Sequence, residues 1–192
     1  MLRILRVISG IAKGHKLKTL EGTATRPTSD RVKESLFNII SPCINDKTVL
    51  DLFAGTGSLG IEALSRGASD CVFVDANPKC IRIINDNLLH TKLASKAHVM
   101  NCSYREAIDI LKKQKKYFDI VFMDPPYNKN FIQESLKLLA YSGIITNGGL
   151  IIAEKSIKDE APENVGDIKL YDERKYGDTV LCFYRVESDI ID

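Results

Sequence analysis

The chain has 192 residues, with 27 Lys plus Arg against 25 Asp plus Glu, and is 44% hydrophobic and 27% charged. That length suits one domain, and that composition excludes a disordered or collagen-like chain. No apolar run approaches the ~20 residues that span a bilayer, and Arg3 and Arg6 interrupt the apolar opening MLRILRVISGIAKG, so neither a membrane anchor nor a signal peptide is expected and the protein is predicted to be cytoplasmic.

Residues 1–20 carry Arg3, Arg6, Lys13, Lys16 and Lys18 and no acid. LRVISG and HKLKTL flank Gly10 to Gly14 as the limbs of a β-hairpin would. Lysines there serve either as a solvated edge that discourages sheet aggregation or as a surface for phosphates. In TATRPTSDRVKESLFNII, Val32, Leu36, Phe37 and Ile40 recur at helical spacing, predicting a helix from residue 28 or 29 to 40. Pro27 precedes it, Thr28, Ser29 and Asp30 can cap it, and Pro42 ends it.

From residue 48, apolar strands at 48–54, 71–76, 97–102, 118–124 and 150–155 alternate with helices near 58–66, 78–90, 103–115 and 130–142. Strands with so little internal polarity are covered on both faces, and β–α alternation at this spacing predicts an α/β fold with a doubly wound, mostly parallel sheet. IKLYDERKYG (168–177) and TVLCFYRV (179–186) are separated by too little chain for anything but an antiparallel pair. Residues 1–44 thus read as a basic arm and helix, and 45–188 as the main domain. Cys43, Cys71, Cys80, Cys102 and Cys182 form no CxxC pair and read as reduced, buried thiols; His15, His90 and His98 lack metal-ligand spacing, so no metal is expected.

The first strand runs into Asp51-Leu-Phe-Ala-Gly55-Thr-Gly57-Ser-Leu-Gly60, a strand, a glycine turn and a helix, as a nucleotide crevice requires. Asp75, at the end of the next strand, is placed to accept hydrogen bonds from ribose hydroxyls. These features suit NAD and S-adenosylmethionine alike. Asp51 favours the second, because a carboxylate ahead of the turn attracts an amino group and repels a pyrophosphate.

The fourth strand ends in Asp124-Pro125-Pro126-Tyr127, at the carboxyl end of the sheet where open α/β folds bind ligands. An exocyclic amine on a base is a poor nucleophile, because its lone pair is delocalised into the ring. A carboxylate and a backbone carbonyl that hold its two hydrogens favour the pyramidal form, in which the lone pair is available. Pro125 and Pro126 restrict the backbone on either side and aim those acceptors, and Tyr127 offers a face for the base to stack on.

DLFAGTGSLG and DPPY are similar to the motifs of class I S-adenosylmethionine-dependent amino-methyltransferases, and with the arm from RVISG, RPTSDRVKESLFNII and KYGDTVLCFYR the chain resembles the RsmD family from about residue 3 to 186. The resemblance implies methylation of a guanine N2 amine in 16S ribosomal RNA, at guanine 966, with S-adenosylmethionine as donor and no metal. It implies a seven-stranded Rossmann-like sheet with an antiparallel last strand. It places Asp51, Gly55 and Gly57 at the methionine end of the donor and Asp75 at its ribose, and Phe53 and Asp124 complete the donor set. Asp124, Pro125, Pro126 and Tyr127 serve the target base. Class I enzymes commonly contact the adenine amine with Asp or Asn after the third strand; here the segment reads Asn101-Cys102-Ser103-Tyr104, and either the Ser103 hydroxyl or a backbone group is the candidate. Lys13, Lys16, Lys18, Arg26 and Arg31 are candidates for RNA phosphates, and a 16S rRNA or 30S particle is the expected partner of a monomer.

Three other readings explain less. Adenine-N6 methylation of DNA shares the DPPY chemistry but needs sequence readout, and the 67 positions from Gly57 to Asp124 are consumed by strands and helices. An NAD-dependent oxidoreductase leaves DPPY without a role. A silent ribosome-assembly module leaves both pocket motifs idle.

Overall fold

The computed structural model describes residues 5–20, 30–126 and 130–187. Arg26, Tyr127 and the residues expected to start the first helix at 28 or 29 lie outside them. In chain order the elements are α1 (Asp30–Ile40), a 3-10 turn (Ser41–Cys43), β1 (Thr48–Asp51), α2 (Ser58–Ser65), β2 (Asp70–Val74), α3 (Pro78–Thr91), a second 3-10 turn (Ala94–Lys96), β3 (Ala97–Met100), α4 (Tyr104–Lys113), β4 (Phe118–Met123), α5 (Phe131–Ser142), β5 (Ile145–Ser156), β6 (Asn164–Val165), β7 (Ile168–Tyr176) and β8 (Thr179–Val186).

One sheet runs in the order β3-β2-β1-β4-β5-β8-β7-β6. β1 to β5 are mutually parallel, and β8 enters antiparallel between β5 and β7. The sheet has eight strands rather than the seven expected: after a turn at Gly166, Asn164 and Val165 pair with Lys169 and Ile168 and add a two-residue edge. β5 also starts earlier than residue 150, because Ile145 already pairs with Phe118 before an irregularity in register.

The strand pleat sends alternate residues into two cores. Val49, Ile120, Phe122, Leu150 and Ile152 pack with α1, α2 and α3, where the Phe37 and Phe122 rings lie 5.7 Å apart. Leu50, Val121, Met123, Ile151 and Ala153 pack with α4 and α5 on the opposite face. Both faces are covered, as the apolar strands require.

The segment 5–20 makes a hairpin-like loop rather than two regular strands. Arg6 and Lys16 form one antiparallel bridge, and the Val7 N–H donates to the His15 carbonyl at 2.9 Å. The ladder stops because neighbouring amides turn outward to α2: Ile8 and Ser9 donate to the Glu62 carboxylate at 2.8 and 2.9 Å, and Ala12 donates to Ser65 Oγ at 3.0 Å. Leu5, Val7, Ala12 and Leu17 are buried in the same core as α1 and β1. The five cysteines are free; Cys71, Cys80 and Cys182 are buried and Cys102 half-buried, but Cys43 is exposed, because the turn after Pro42 carries it out of the helix face. Burial first, then neighbouring carboxylates, push the Cys80 thiol up to about 11 and the Cys182 thiol up to about 12. Among the described residues no helix is long and apolar enough to cross a membrane.

Candidate active site

Three aspartates stand at or just past the carboxyl ends of adjacent parallel strands. Asp51 closes β1, in register with Phe73 of β2 on one side and Phe122 of β4 on the other. Asp75 and Asp124 each lie two residues beyond those partners. Adjacent strands run about 5 Å apart with a rise of about 3.3 Å per residue, so each flanking Cα stands roughly 8 Å from that of Asp51. The pleat puts Asp51 on the side of the sheet that carries α2, and Asp75 reaches the glycine turn ahead of that helix.

Asp51 is 1% exposed. Its Oδ2 accepts the Gly60 N–H at 3.0 Å, while Oδ1 has no hydrogen-bond partner. Burial pushes its carboxyl up to about 7, against the Gly60 amide and with help from the Asp75 charge. A buried acceptor left short of a donor costs free energy, and an incoming ammonium or hydroxyl removes that cost.

The turn that follows is built for close approach. Gly57 caps α2 at φ 78°, a left-handed conformation that costs other residues strain. Gly60 lets α2 press on the sheet: a Cβ there would meet Phe73 Cε1 at 2.3 Å. The Gly55 N–H donates to Asp75 Oδ2 at 2.8 Å, and the Asn77 N–H donates to Oδ1 at 2.8 Å. Asp75 is thus pinned by two amides at the edge of the turn, with the Cys80 thiol also against its carboxylate, and its remaining acceptor capacity faces a ligand hydroxyl. Asn101 Nδ2 ties the end of β3 to the Asp75 carbonyl at 3.0 Å.

Asp124 is half-buried, Pro125 buried and Pro126 exposed. Ser103 serves the fold: its Oγ donates to Glu106 Oε2 at 2.8 Å and accepts the Glu106 N–H at 3.3 Å, a capping box that starts α4. Its hydroxyl proton is therefore committed to Glu106.

Phe53 joins a cluster that the helical and strand patterns do not show. Its ring lies 5.2 Å from Tyr104 and 5.9 Å from Phe131, and those two stand 5.7 Å apart edge to face. The cluster links the turn after β1 to the first residues of α4 and α5. The Tyr104 hydroxyl donates to Glu134 at 2.6 Å and Arg105 pairs with the same oxygen at 2.5 Å. The Tyr104 hydrogen bond above all, and Arg105 beside it, hold the Glu134 carboxyl below the usual range.

The basic candidates fall in different places. Arg31 is exposed in the first turn of α1, on a different face from Lys33, whose buried ammonium reaches Ser58 Oγ at 3.1 Å. Lys13 is carried to the other pole: just before it the Ile11 N–H donates to the Ser65 carbonyl at 2.9 Å and the Ala12 N–H to Ser65 Oγ at 3.0 Å, at the far end of α2. Lys16 and Lys18 return along α3, where Lys18 Nζ meets Asp86 at 2.8 Å.

Pattern reading also missed Lys33 and Glu62, both fully buried. Lys33 Nζ donates to the Arg6 carbonyl at 2.6 Å and stands 3.5 Å from Glu62, which also takes Arg66 Nε at 2.8 Å. Burial lowers the Lys33 ammonium despite Glu62. A signal was present, since Lys33 lies on the same helical stripe as Leu36, Phe37 and Ile40. Among the described residues no three His, Cys, Asp or Glu side chains gather as a metal ion requires.

A parallel sheet with a glycine turn after its first strand and an antiparallel strand inserted beyond β5 is the fold of the class I methyltransferases. The chain belongs to the RsmD family: residues 5–185 match the family described as Conserved hypothetical protein 95. It is 41% identical to YlbH of Bacillus subtilis (strain 168), covering 94% of this chain and 98% of that protein. It is 33% identical to Ribosomal RNA small subunit methyltransferase D of Escherichia coli (strain K12), covering 96% of this chain and 91% of that one. The solved structure of yhhF from Escherichia coli superposes with a TM-score of 0.85 at 32% identity, covering 96% of this chain and 99% of that one.

Proposed function

We propose that the protein transfers a methyl group from S-adenosylmethionine to the exocyclic N2 amine of a guanine in small-subunit ribosomal RNA. The observation that carries this reading is the flanking of a buried, half-satisfied Asp51 by Asp75 and Asp124 at adjacent strand ends. The donor fits the residues present: Asp51 Oδ1 offers an acceptor for its ammonium, Asp75 offers acceptor capacity for its ribose hydroxyls, and Gly55 and Gly57 leave room against the backbone. Phe53, from its cluster with Tyr104 and Phe131, completes the proposed donor set. S-adenosylmethionine supplies a methyl group already activated on a sulfonium, so the chain needs to contribute position and acceptors rather than a covalent intermediate.

In this reading Asp124 and the carbonyl of Pro125 accept the two N2 hydrogens of the guanine and draw the lone pair out of the ring, with Pro126 fixing the backbone and Tyr127 stacking on the base. The proton released after transfer leaves through Asp124 or directly to water. An unpaired loop guanine reaches such a pocket at lower cost than a stacked one. Arg26, Arg31, Lys16 and Lys18 contact phosphates. The ribonucleoprotein particle is the substrate proposed, acted on by a monomer, because a net charge of +2 gives little hold on free RNA.

Radiolabelled methyl transfer to unmodified small-subunit particles and to stripped RNA, followed by nucleoside digestion, tests this. N2-methylguanosine is expected; N6-methyladenosine, or no transfer, refutes it. Asp124→Ala is expected to slow transfer by about 10²–10⁴-fold with donor affinity, read by calorimetry, largely intact because Asp51 and Asp75 still hold the donor.

A further inference from the structure

Charge is segregated on this molecule in a way its net value conceals. Residues 5–20 and 77–98 carry eight Lys and Arg and one acid, Asp86, whereas the other 154 residues carry 19 Lys and Arg against 24 acids. The fold brings those two segments together. The Lys18 N–H donates to Asn87 Oδ1 at 2.8 Å, Asn87 Nδ2 donates back to the Lys18 carbonyl at 3.1 Å, and the His15 and His90 rings meet at 5.2 Å. The returning limb of the arm therefore lies along α3. On α3, Lys79, Arg82, Asp86 and His90 follow helical spacing and share one exposed stripe.

All eight cations are exposed. Arg6 stands 3.8 Å from Asp30, and Lys18 pairs with Asp86. Among the described residues no acid lies within salt-bridge distance of Lys13, Lys16, Lys79, Arg82, Lys92 or Lys96. The stripe begins at Pro78, just past Asp75, and descends the 14 residues of α3, about 21 Å. It ends at Lys92 and at Lys96 in the second 3-10 turn. A face of that length and sign meets several successive phosphates, and it starts beside the candidate pocket.

We propose that the arm and the outward stripe of α3, extended to Lys92 and Lys96, form one continuous docking face for the phosphate backbone of structured RNA next to the target nucleotide. The inference rests on the RNA substrate proposed above and gives that substrate a second contact region, reaching from the catalytic pole to the far pole. Lys13, distant from Asp124, then has a place in the same footprint. Exposed cations, six of the eight with no acid among the described residues in salt-bridge reach, attract phosphate without reading bases, so this face contributes affinity and orientation while the pocket selects the base.

The test uses the triple variant Arg82→Gln, Lys92→Gln, Lys96→Gln, none of which touches the pocket. Binding to small-subunit particles and to a 16S RNA fragment is measured across a salt series without the methyl donor, beside donor affinity and melting temperature. The expected result is RNA affinity reduced at least tenfold near 0.1 M salt, with a log–log salt slope shallower by about 2–3, from roughly 0.7–0.9 for each phosphate no longer neutralised. Donor affinity stays unchanged. Unchanged RNA affinity and slope overturn the proposal, as does a lowered melting temperature with RNA binding intact, which would make these cations mere partners of the helix terminus. Loss of binding to phosphatidylserine vesicles with RNA affinity unchanged also overturns it. If the unmutated protein transfers no methyl yet the variant loses RNA, the methylation reading falls and the docking face stands. If transfer proceeds and the variant behaves as the parent, the docking face alone falls.

Discussion

Asp51 and Glu62 are both buried acids on neighbouring elements, 1% and 0% exposed, yet their surroundings are opposite. Glu62 is saturated: its oxygens accept Ile8, Ser9 and Arg66 at 2.8–2.9 Å, with Lys33 at 3.5 Å. Asp51 has one amide on one oxygen and nothing on the other. A buried charge that the chain satisfies from every side holds the fold together, here by fastening the arm and α1 to α2. A buried carboxylate left short of donors at the carboxyl end of a parallel sheet keeps acceptor capacity that the chain does not use, which the proposed function assigns to the methyl donor.

The contrast can be broken from either side. Glu62→Ala should have the larger effect, leaving the Lys33 ammonium and two arm amides buried without their acceptor. Loss of a buried ionic partner costs about 3–5 kcal/mol, read as a lower midpoint in urea unfolding. Asp51→Asn should move stability the other way. Because the folded carboxyl is raised to about 7 from 3.8, the native state holds more protons than the unfolded chain between those values. Stability of the parent therefore falls as pH rises from about 4 to 7, and the asparagine variant escapes that loss. Its advantage, up to ~4 kcal/mol as an upper bound, should be full above pH 7 and vanish towards pH 4. An Asn variant no more stable than the parent at pH 8 would make Asp51 an ordinary core acid.

Much of the fold was legible from residues alone, because β1 to β5 are apolar runs of strand length separated by amphipathic helices, and no other packing buries both faces of such strands. β6 was not legible: two residues carry no period, and only the turn at Gly166 makes them a strand. Asp51, Asp75 and Asp124 could be placed at strand ends from spacing alone. Their convergence depends on the order β2-β1-β4, which comes from packing rather than from neighbouring residues. The cap at Ser103 was written in Ser103 and Glu106, three residues apart, but that spacing competes with any ligand role the residue type suggests. The descent of Lys13 to the far pole could not be read, because it depends on where arm amides find acceptors on α2, 53 and 54 residues later.

In the proposed function, Asp51 is the acceptor for the ammonium of the methyl donor. Calorimetric titration of S-adenosylmethionine into the parent and Asp51→Asn, from pH 6 to pH 8.5, tests it most directly. Binding to the parent should weaken by up to about tenfold per pH unit below about 7 as Asp51 takes up its proton, and affinity should be at least about 10-fold lower in the variant at pH 8, from the loss of a charge-assisted bond. Equal affinity in the two proteins, with no dependence on pH, would contradict it.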